Sequence, residues 1–406
     1  MDSILLLEII ARAGGGGSSG GGGGLGIIVL PLIVFGIIAS WWIRRKRIRK
    51  AEARQKQALV SDPTWSDEVI ERRVTEVFNA FQKDWSELNP EHMKSYLTPR
   101  YHHHVSLMLA ALQQMGRRNE TRSVSLSKVT LFGVDDSKVN EYDRFNVEIN
   151  ASALDNLIDL KTGKLLHGSS SSFEELWHFE REGKEWALDS ITQVNRDDLI
   201  VKYDPKIDKN YLDFADQNSF FYNADFGWLL MPLRGVLFSE ASYGWSDINH
   251  HVIGLYHNVV VQFFEYIPLT QKKAKLKDHF RHFYKKRNVL AKYAIAHATL
   301  PKQYGNILVE RRSFPSFSSF SPSGMMKVSL EWPHFNKMYN VYANDMDKVT
   351  SLELLHPAFM EKLADSPYRI NIEIIGNDLY LYTTDKKADY QQMLTILKEA
   401  FEEMKM

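Results

Sequence analysis

The chain has 406 residues, 50 cations against 50 carboxylates, and no cysteine. Without thiols it can form no disulfide, no thiolate metal site and no cysteine nucleophile, a composition that suits a reducing compartment. Charge is unevenly placed: eight cations and one glutamate give residues 44–56 a charge of +7, whereas residues 57–406 sum to −6, which argues against generic nucleic-acid binding by the body.

The N-terminal 50 residues pass through three textures. Residues 1–24 end in GGGGSSGGGGG, which can hold no core and reads as a flexible tail. Within it, Ala11-Arg12-Ala13 resembles a signal cleavage site, but no basic region precedes it and Glu8 interrupts the short apolar stretch Ile4–Ile10. Leu25–Ile43 is an uncharged run of 19 residues. As a helix it would be about 28 Å long, close to the ~30 Å hydrocarbon core of a bilayer, so the expectation is one transmembrane helix. Trp41 and Trp42 close the run at headgroup depth, and Arg44, Arg45, Lys46, Arg47, Arg49 and Lys50 follow. By the positive-inside rule the tail lies outside and the C-terminal body is cytoplasmic, held at the inner (cytoplasmic) membrane by a single pass. Each cation near an anionic leaflet adds about 1 kcal/mol of attraction, so these eight residues form the expected membrane interface. Residues 44–62, ending in AEARQKQALVSD, read as a basic juxtamembrane linker.

A first soluble domain is expected over residues 63–200. Asp62-Pro63-Thr64 opens a helix whose Ile70, Val74, Val77, Phe78, Phe81 and Trp85 form one core stripe. Asn89-Pro90 and Thr98-Pro99 announce two more helices, with Met93 and Leu97, then Val105, Met108, Leu109 and Leu112, facing the core, and Gly116 as a stop. From Ser123 the period moves towards two, clearest at Phe145, Val147, Ile149 and Ala151. FEELWHFEREGKEWALDSI reads as a hairpin: Trp177, Phe179 and Arg181 share a face, Glu182-Gly183-Lys184 turns, and Trp186 and Leu188 return.

Three helices followed by an antiparallel sheet ending in W-x-F-x-R, a turn and W-x-L resemble the Tim-forty-four-like (Tim44-like) family, named for a membrane-anchor subunit of the mitochondrial import motor. The resemblance covers about residues 65–195 and rests on VIERRVTEVFNAFQKDW, MKSYLTP and the terminal hairpin. It implies a cone-shaped α+β fold related to nuclear transport factor two, with a pocket, and a role at a membrane surface rather than catalysis. Enzymes share that superfamily, so the fold alone does not decide activity.

Residues 203–406 read as a second α+β domain. VIGLYHNVVVQFFEYIPLT is two strands around a turn; MKVSLEWPHFNKMYNVYAND is strand, short helix, strand; LLHPAFMEKL is a helix begun by Pro357. YRINIEIIGNDLYLYTTD is a hairpin turning at Gly376-Asn377-Asp378, and a last helix runs from about Lys387 to Met404. SFPSFSSFSPSG is a loop. This half resembles an uncharacterised bacterial domain that brings no activity with it. Inside it, residues 272–287 carry +7 through Lys272, Lys273, Lys275, Lys277, Arg281, Lys285, Lys286 and Arg287, with Leu276, Phe280, Phe283 and Tyr284 at helix spacing: a candidate lipid or RNA patch, or a solvated helix packed on its own domain.

No catalytic motif, cofactor or metal site is expected. His102-His103-His104, His250-His251 and the pair His279, His282 have no carboxylate at ligand spacing, and Glu174-Glu175 and Asp197-Asp198 fit solvated strand edges and turns. The sequence therefore reads as a membrane-anchored scaffold or docking protein whose partners are an anionic phospholipid membrane and a protein not named by the sequence. A ligand-binding or enzymatic cone pocket, and a ribosome or RNA tether through residues 272–287, are the alternatives.

Overall fold

The computed structural model describes residues 25–193, 205–225, 229–230, 247–267, 292–312, 324–344, 355–385 and 389–403. The glycine tail, Asp197-Asp198, His279, His282, the patch at 272–287 and most of the serine-rich loop lie outside them. The chain is mixed α+β, with a helix-plus-antiparallel-sheet domain followed by a second sheet domain.

Helix α1, Leu25–Ala58, is continuous from the apolar run through most of the segment expected to be linker. Among the described residues no helix is long and apolar enough to cross a membrane, so the span expected at Leu25–Ile43 does not rest on the structure. Asp62 caps only a 3-10 turn, Pro63–Trp65, through the Thr64 amide. Ser66, whose hydroxyl accepts from the Val69 amide, opens α2, Asp67–Ser86. The helix thus starts one cap later than Asp62-Pro63 suggests. Helices α3, Pro90–Met93, and α4, Pro99–Gln114, begin at their expected caps, Asn89 and Thr98. Gly116 at φ 67° then turns the chain into the sheet.

Strands β1 (Arg117–Asp135), β2 (Arg144–Asp159), β3 (Leu165–Glu182) and β4 (Glu185–Gln193) form an antiparallel meander. Irregularities at Arg122/Ser125, Leu126/Lys128 and Leu131/Gly133 reset the alternation of β1 three times, which hides its first six residues from a period-two reading. The inner face is aromatic. Trp65, Phe78, Phe145, Trp177, Phe179 and Trp186 are almost completely buried, with α2 and α4 packed over them. Gly183, at φ 61°, makes the β3–β4 turn.

In the second domain, helix α5 (Pro205–Asn218) precedes β5 (Phe221–Asp225), β6 (Asp247–Tyr256) and β7 (Val259–Ile267). His257 and Asn258, both at positive φ, supply the two-residue β6–β7 turn. Strands β8 (Tyr293–Thr299), β9 (Gly305–Arg311) and β10 (Met326–Val328) follow, then α6 (Pro333–Met338) and β11 (Tyr339–Ala343). The chain continues with α7 (Pro357–Asp365), the hairpin β12 (Asn371–Gly376) and β13 (Asp378–Thr383), and α8 (Tyr390–Glu403). All join one nine-stranded antiparallel sheet, in the order β10-β11-β9-β12-β13-β8-β7-β6-β5. One core cluster joins Phe214, Phe335, Phe359, Met393, Leu397 and Phe401 of the helices to the apolar face of the sheet. At Gly254 a Cβ would lie 1.8 Å from the Phe220 ring, so only glycine admits that ring onto β6.

The domains touch. Ile253 and Val260, from β6 and β7, complete the core of the first domain, and the Phe221 ring stacks on His104 of α4 at 4.6 Å.

Candidate functional site

Two surfaces of the first domain combine chemistry with access. The first is α1. Trp41, Trp42 and Ile43 are each more than half exposed, with Arg45 and Lys46 lying over the two indoles. One turn on, the helix docks. Arg44 pairs with Glu148 on the outer face of β2, its Nε 3.2 Å from Oε2, and the Arg47 guanidinium lies 5.9 Å from the Phe132 ring. Ala51, Gln55 and Ala58 are buried, and the Gln55 amide donates to the Trp65 carbonyl and the Asp67 carboxylate. Burial, the largest single influence, pushes the Glu148 carboxyl up, but hydrogen bonds from Arg44 and Glu174 and the charges of Arg44 and Lys128 together outweigh it and the net shift is downward. Of the expected interface residues, Trp41, Trp42, Arg45, Lys46, Arg47, Arg49 and Lys50 are exposed, whereas Arg44 is turned into the fold.

The second surface is a half-open cavity of about 740 Å³ between the inner face of the sheet and the helices, bordered by α5 and β5. Phe81, Trp85, Tyr101, Phe173, Ile191 and Phe221 contribute apolar wall. Asp155, Glu175 and Asp189 contribute charge. Asn119 accepts the Trp85 indole N–H and donates to Asp155, the Trp177 indole donates to Glu175 at 2.9 Å, and the Thr98 hydroxyl donates to Asp189 at 2.8 Å. Glu175 is therefore no solvated strand edge: it occupies a core-facing position of β3 and is 9 % exposed. Burial raises the Asp155 carboxyl above its ordinary range despite the Asn119 bond.

Among the described histidines, His104, His251 and His297 are buried. His104 turns inward on α4 and bonds Asn223 at 3.1 Å. His251 on β6 starts a buried chain across the second sheet: its Nε2 is 3.0 Å from Gln262 Oε1, Gln262 Nε2 is 3.0 Å from His297 Nδ1, and His297 Nε2 is 2.8 Å from Asp378 Oδ1. Among the described residues no group of three or more histidines and carboxylates is placed to hold a metal ion.

Desolvation pushes His104 down to about 3 and His251 down to about 4. Both imidazoles are neutral when folded but take a proton near pH 6.5 when unfolded, so stability is full above that pH and falls as pH drops towards 4. Each should contribute about 1.4 kcal/mol per pH unit across that window. Denaturant midpoints measured from pH 7 to pH 4 check this; His104→Gln should flatten the slope, and an unchanged slope would assign it to other groups.

Fold and surfaces together define a helix-capped curved-sheet domain, entered by a cationic docked helix and backed by a second sheet domain. Residues 52–193 match the Tim44-like domain family and residues 294–405 match the family described as protein of unknown function (DUF3137). The chain thus carries a Tim44-like domain followed by a domain of that second family. Among solved structures it is similar to the mycobacterial trehalose monomycolate transport factor A, TtfA, at 9 % identity and a TM-score of 0.35, covering 49 % of this chain and 94 % of that one. It is also similar to the intermembrane space region of the chloroplast protein ARC6, at 14 % identity and a TM-score of 0.27, covering 32 % and 96 %. No curated protein matches the chain.

Proposed function

We propose that the chain is a membrane-anchored docking protein: Leu25–Ile43 crosses the bilayer once, and α1 carries both domains against the anionic cytoplasmic leaflet. One observation supports this most. A single helix links the apolar run, an exposed pair of tryptophans and a cationic turn to residues buried in the Tim44-like domain, so the domain is joined to the apolar segment by helix rather than by loose chain. The Tim44-like match supports a membrane-associated scaffold or lipid-binding role in general. The patch at 272–287 would add a second cationic contact with the same leaflet.

In this reading the full chain stays in the membrane pellet after alkaline carbonate extraction, and a reporter fused after Met406 behaves as cytoplasmic. Release by carbonate would contradict the span, and digestion of the C-terminal body by protease added to intact cells would contradict its cytoplasmic orientation. Salt-sensitive retention of RNA or ribosomes that is lost when Lys272, Lys273, Lys275 and Lys277 become Gln would instead assign the patch to nucleic acid.

A further inference from the structure

We infer that the half-open cavity is a docking cleft for an extended polypeptide segment of a partner protein, which adds as a strand to the edge of β4 and turns apolar side chains at alternate positions towards Tyr101, Met108 and Phe221. The inference is independent of the membrane reading.

It starts from which residues line the space. Side chains of a strand alternate between the two faces of its sheet, so a cavity lying on a face meets every second residue. That holds for Asn119 and Thr121 of β1, Ala153 and Asp155 of β2, and Phe173 and Glu175 of β3. β4 and β5 break the rule: Ser190, Ile191 and Thr192 line the cavity in succession, and so do Phe221, Tyr222 and Asn223. A strand that presents consecutive residues to one space presents its edge, and β4 and β5 are terminal strands of their two sheets. The cleft therefore lies between two strand edges, one from each domain.

The hydrogen bonds then show how β4 is turned. The Leu188 N–H donates to the Tyr96 carbonyl and the Leu188 carbonyl accepts from the Thr98 amide, so Leu188, paired with Phe179, points its main-chain groups away from β3. Along an antiparallel ladder such pairs recur at every second residue, and Trp177, two residues before Phe179, is paired with Ile191. The N–H and C=O of Ile191 therefore also point away from β3. The stretch Tyr96–Thr98 covers the edge at Leu188, whereas Ile191 has no backbone partner on that side among the described residues. Directed donors and acceptors at strand spacing are matched by another polypeptide, whose main chain supplies affinity and whose alternate side chains supply selectivity. The edge from Ser190 to Gln193 is about 13 Å long, and Tyr101 and Met108 of α4, both buried, join the Phe221 ring to give one set of those side chains an apolar wall.

The test uses the full chain in nonionic detergent, which holds it whether or not Leu25–Ile43 spans a bilayer. The probe is a capped, fluorescein-labelled heptapeptide of alternating threonine and valine with a central phenylalanine, followed by fluorescence anisotropy. Two further probes carry N-methyl groups on the amides of one edge of that peptide or of the other, which removes donors and leaves the side chains in place. The expected result is saturable binding of the parent peptide and a loss of about tenfold or more on methylation of at least one edge. Ile191→Pro deletes the outward N–H without touching the β3 ladder and should weaken the parent by a similar factor. Its melting temperature is read alongside, and if this variant fails to fold, the methylated probes on the unaltered chain decide. No saturable binding, as would follow if the chain's own residues occupy the edge, would overturn the assignment. Tolerance of methylation on both edges, or undiminished binding by a folded Ile191→Pro variant, would overturn it as well, because either would mean that side chains alone hold the peptide.

Discussion

Trp177→Ala should destabilise the first domain by about 3–5 kcal/mol, a large share of the ~5–15 kcal/mol that holds an ordinary domain together. The Trp177 ring lies 5.6 Å from Phe78 and 5.9 Å from Phe81, so it joins β3 to α2. Its removal opens a cavity between sheet and helix and takes the indole donor from the buried Glu175. Phe179→Ala and Trp186→Ala should fall in the same range. Phe179 stacks on Phe145 at 4.8 Å, and Trp186 stands edge-on to Trp65 and Phe145 at 4.8 Å each. Chemical denaturation followed by near-ultraviolet circular dichroism measures all three; losses below about 1 kcal/mol at every position would contradict the packing.

Arg181→Met should cost a comparable amount, about 3–5 kcal/mol, for an electrostatic reason. The guanidinium is buried where β3 meets the chain entering the domain. It donates to Asp62 at 2.7 Å and Thr64 at 2.6 Å, stands 3.6 Å from the buried Asp143 and lies 3.9 Å over the Trp186 ring. Methionine preserves much of the volume but leaves Asp143 as a buried charge with its cation gone. The double variant Arg181→Met, Asp143→Asn should therefore recover part of the loss, a coupling that a double-mutant cycle reads directly. Strict additivity of the two single changes would show that Arg181 acts through packing alone.

How much of this was legible depends on whether local pattern and burial coincide. Ile70, Val74, Val77, Phe78, Phe81 and Trp85 repeat at helix spacing, and all six are buried. The β3–β4 hairpin was equally plain, because its large aromatics alternate strictly and its turn carries a glycine. The β6–β7 and β12–β13 hairpins and the strand–helix–strand before Ala343 could also be read. The second sheet as a single body could not. β9 pairs with β11 and β12, neither its neighbour in sequence, and such pairing leaves no mark in either segment. The docking of α1 was hidden for the same reason, since Arg44 meets Glu148 across 104 positions of chain.

The cavity leaves a trace in the strand pattern. Asp155 continues the inward series Ala151, Ala153, and Glu175 precedes Trp177 by two, so both carboxylates occupy core-facing positions of their strands. A charge at such a position is costly unless the structure gives it a purpose, which makes the break in pattern the signal. His104 is similar: only one of three consecutive histidines can share a helix face with Tyr101, Val105 and Met108, and that one is buried against Phe221.

The buried chain from His251 to Asp378 also acts as a gauge for the alignment of four strands. Asp378 accepts from His297 Nε2, which leaves Nδ1 to accept from the Gln262 amide, whose oxygen then accepts from His251 Nε2. Every link has one direction and one length. A slip of β7 by one residue would turn Gln262 to the helix side, where Val261 and Phe263 now pack, and a slip by two would set Val260 or Phe264 opposite His297. Either error strands polar groups in an interior that offers them no water, so the misaligned sheet is penalised at several strands simultaneously. A nine-stranded sheet built from short segments has many near-equivalent alignments, and four polar side chains are enough to single out one.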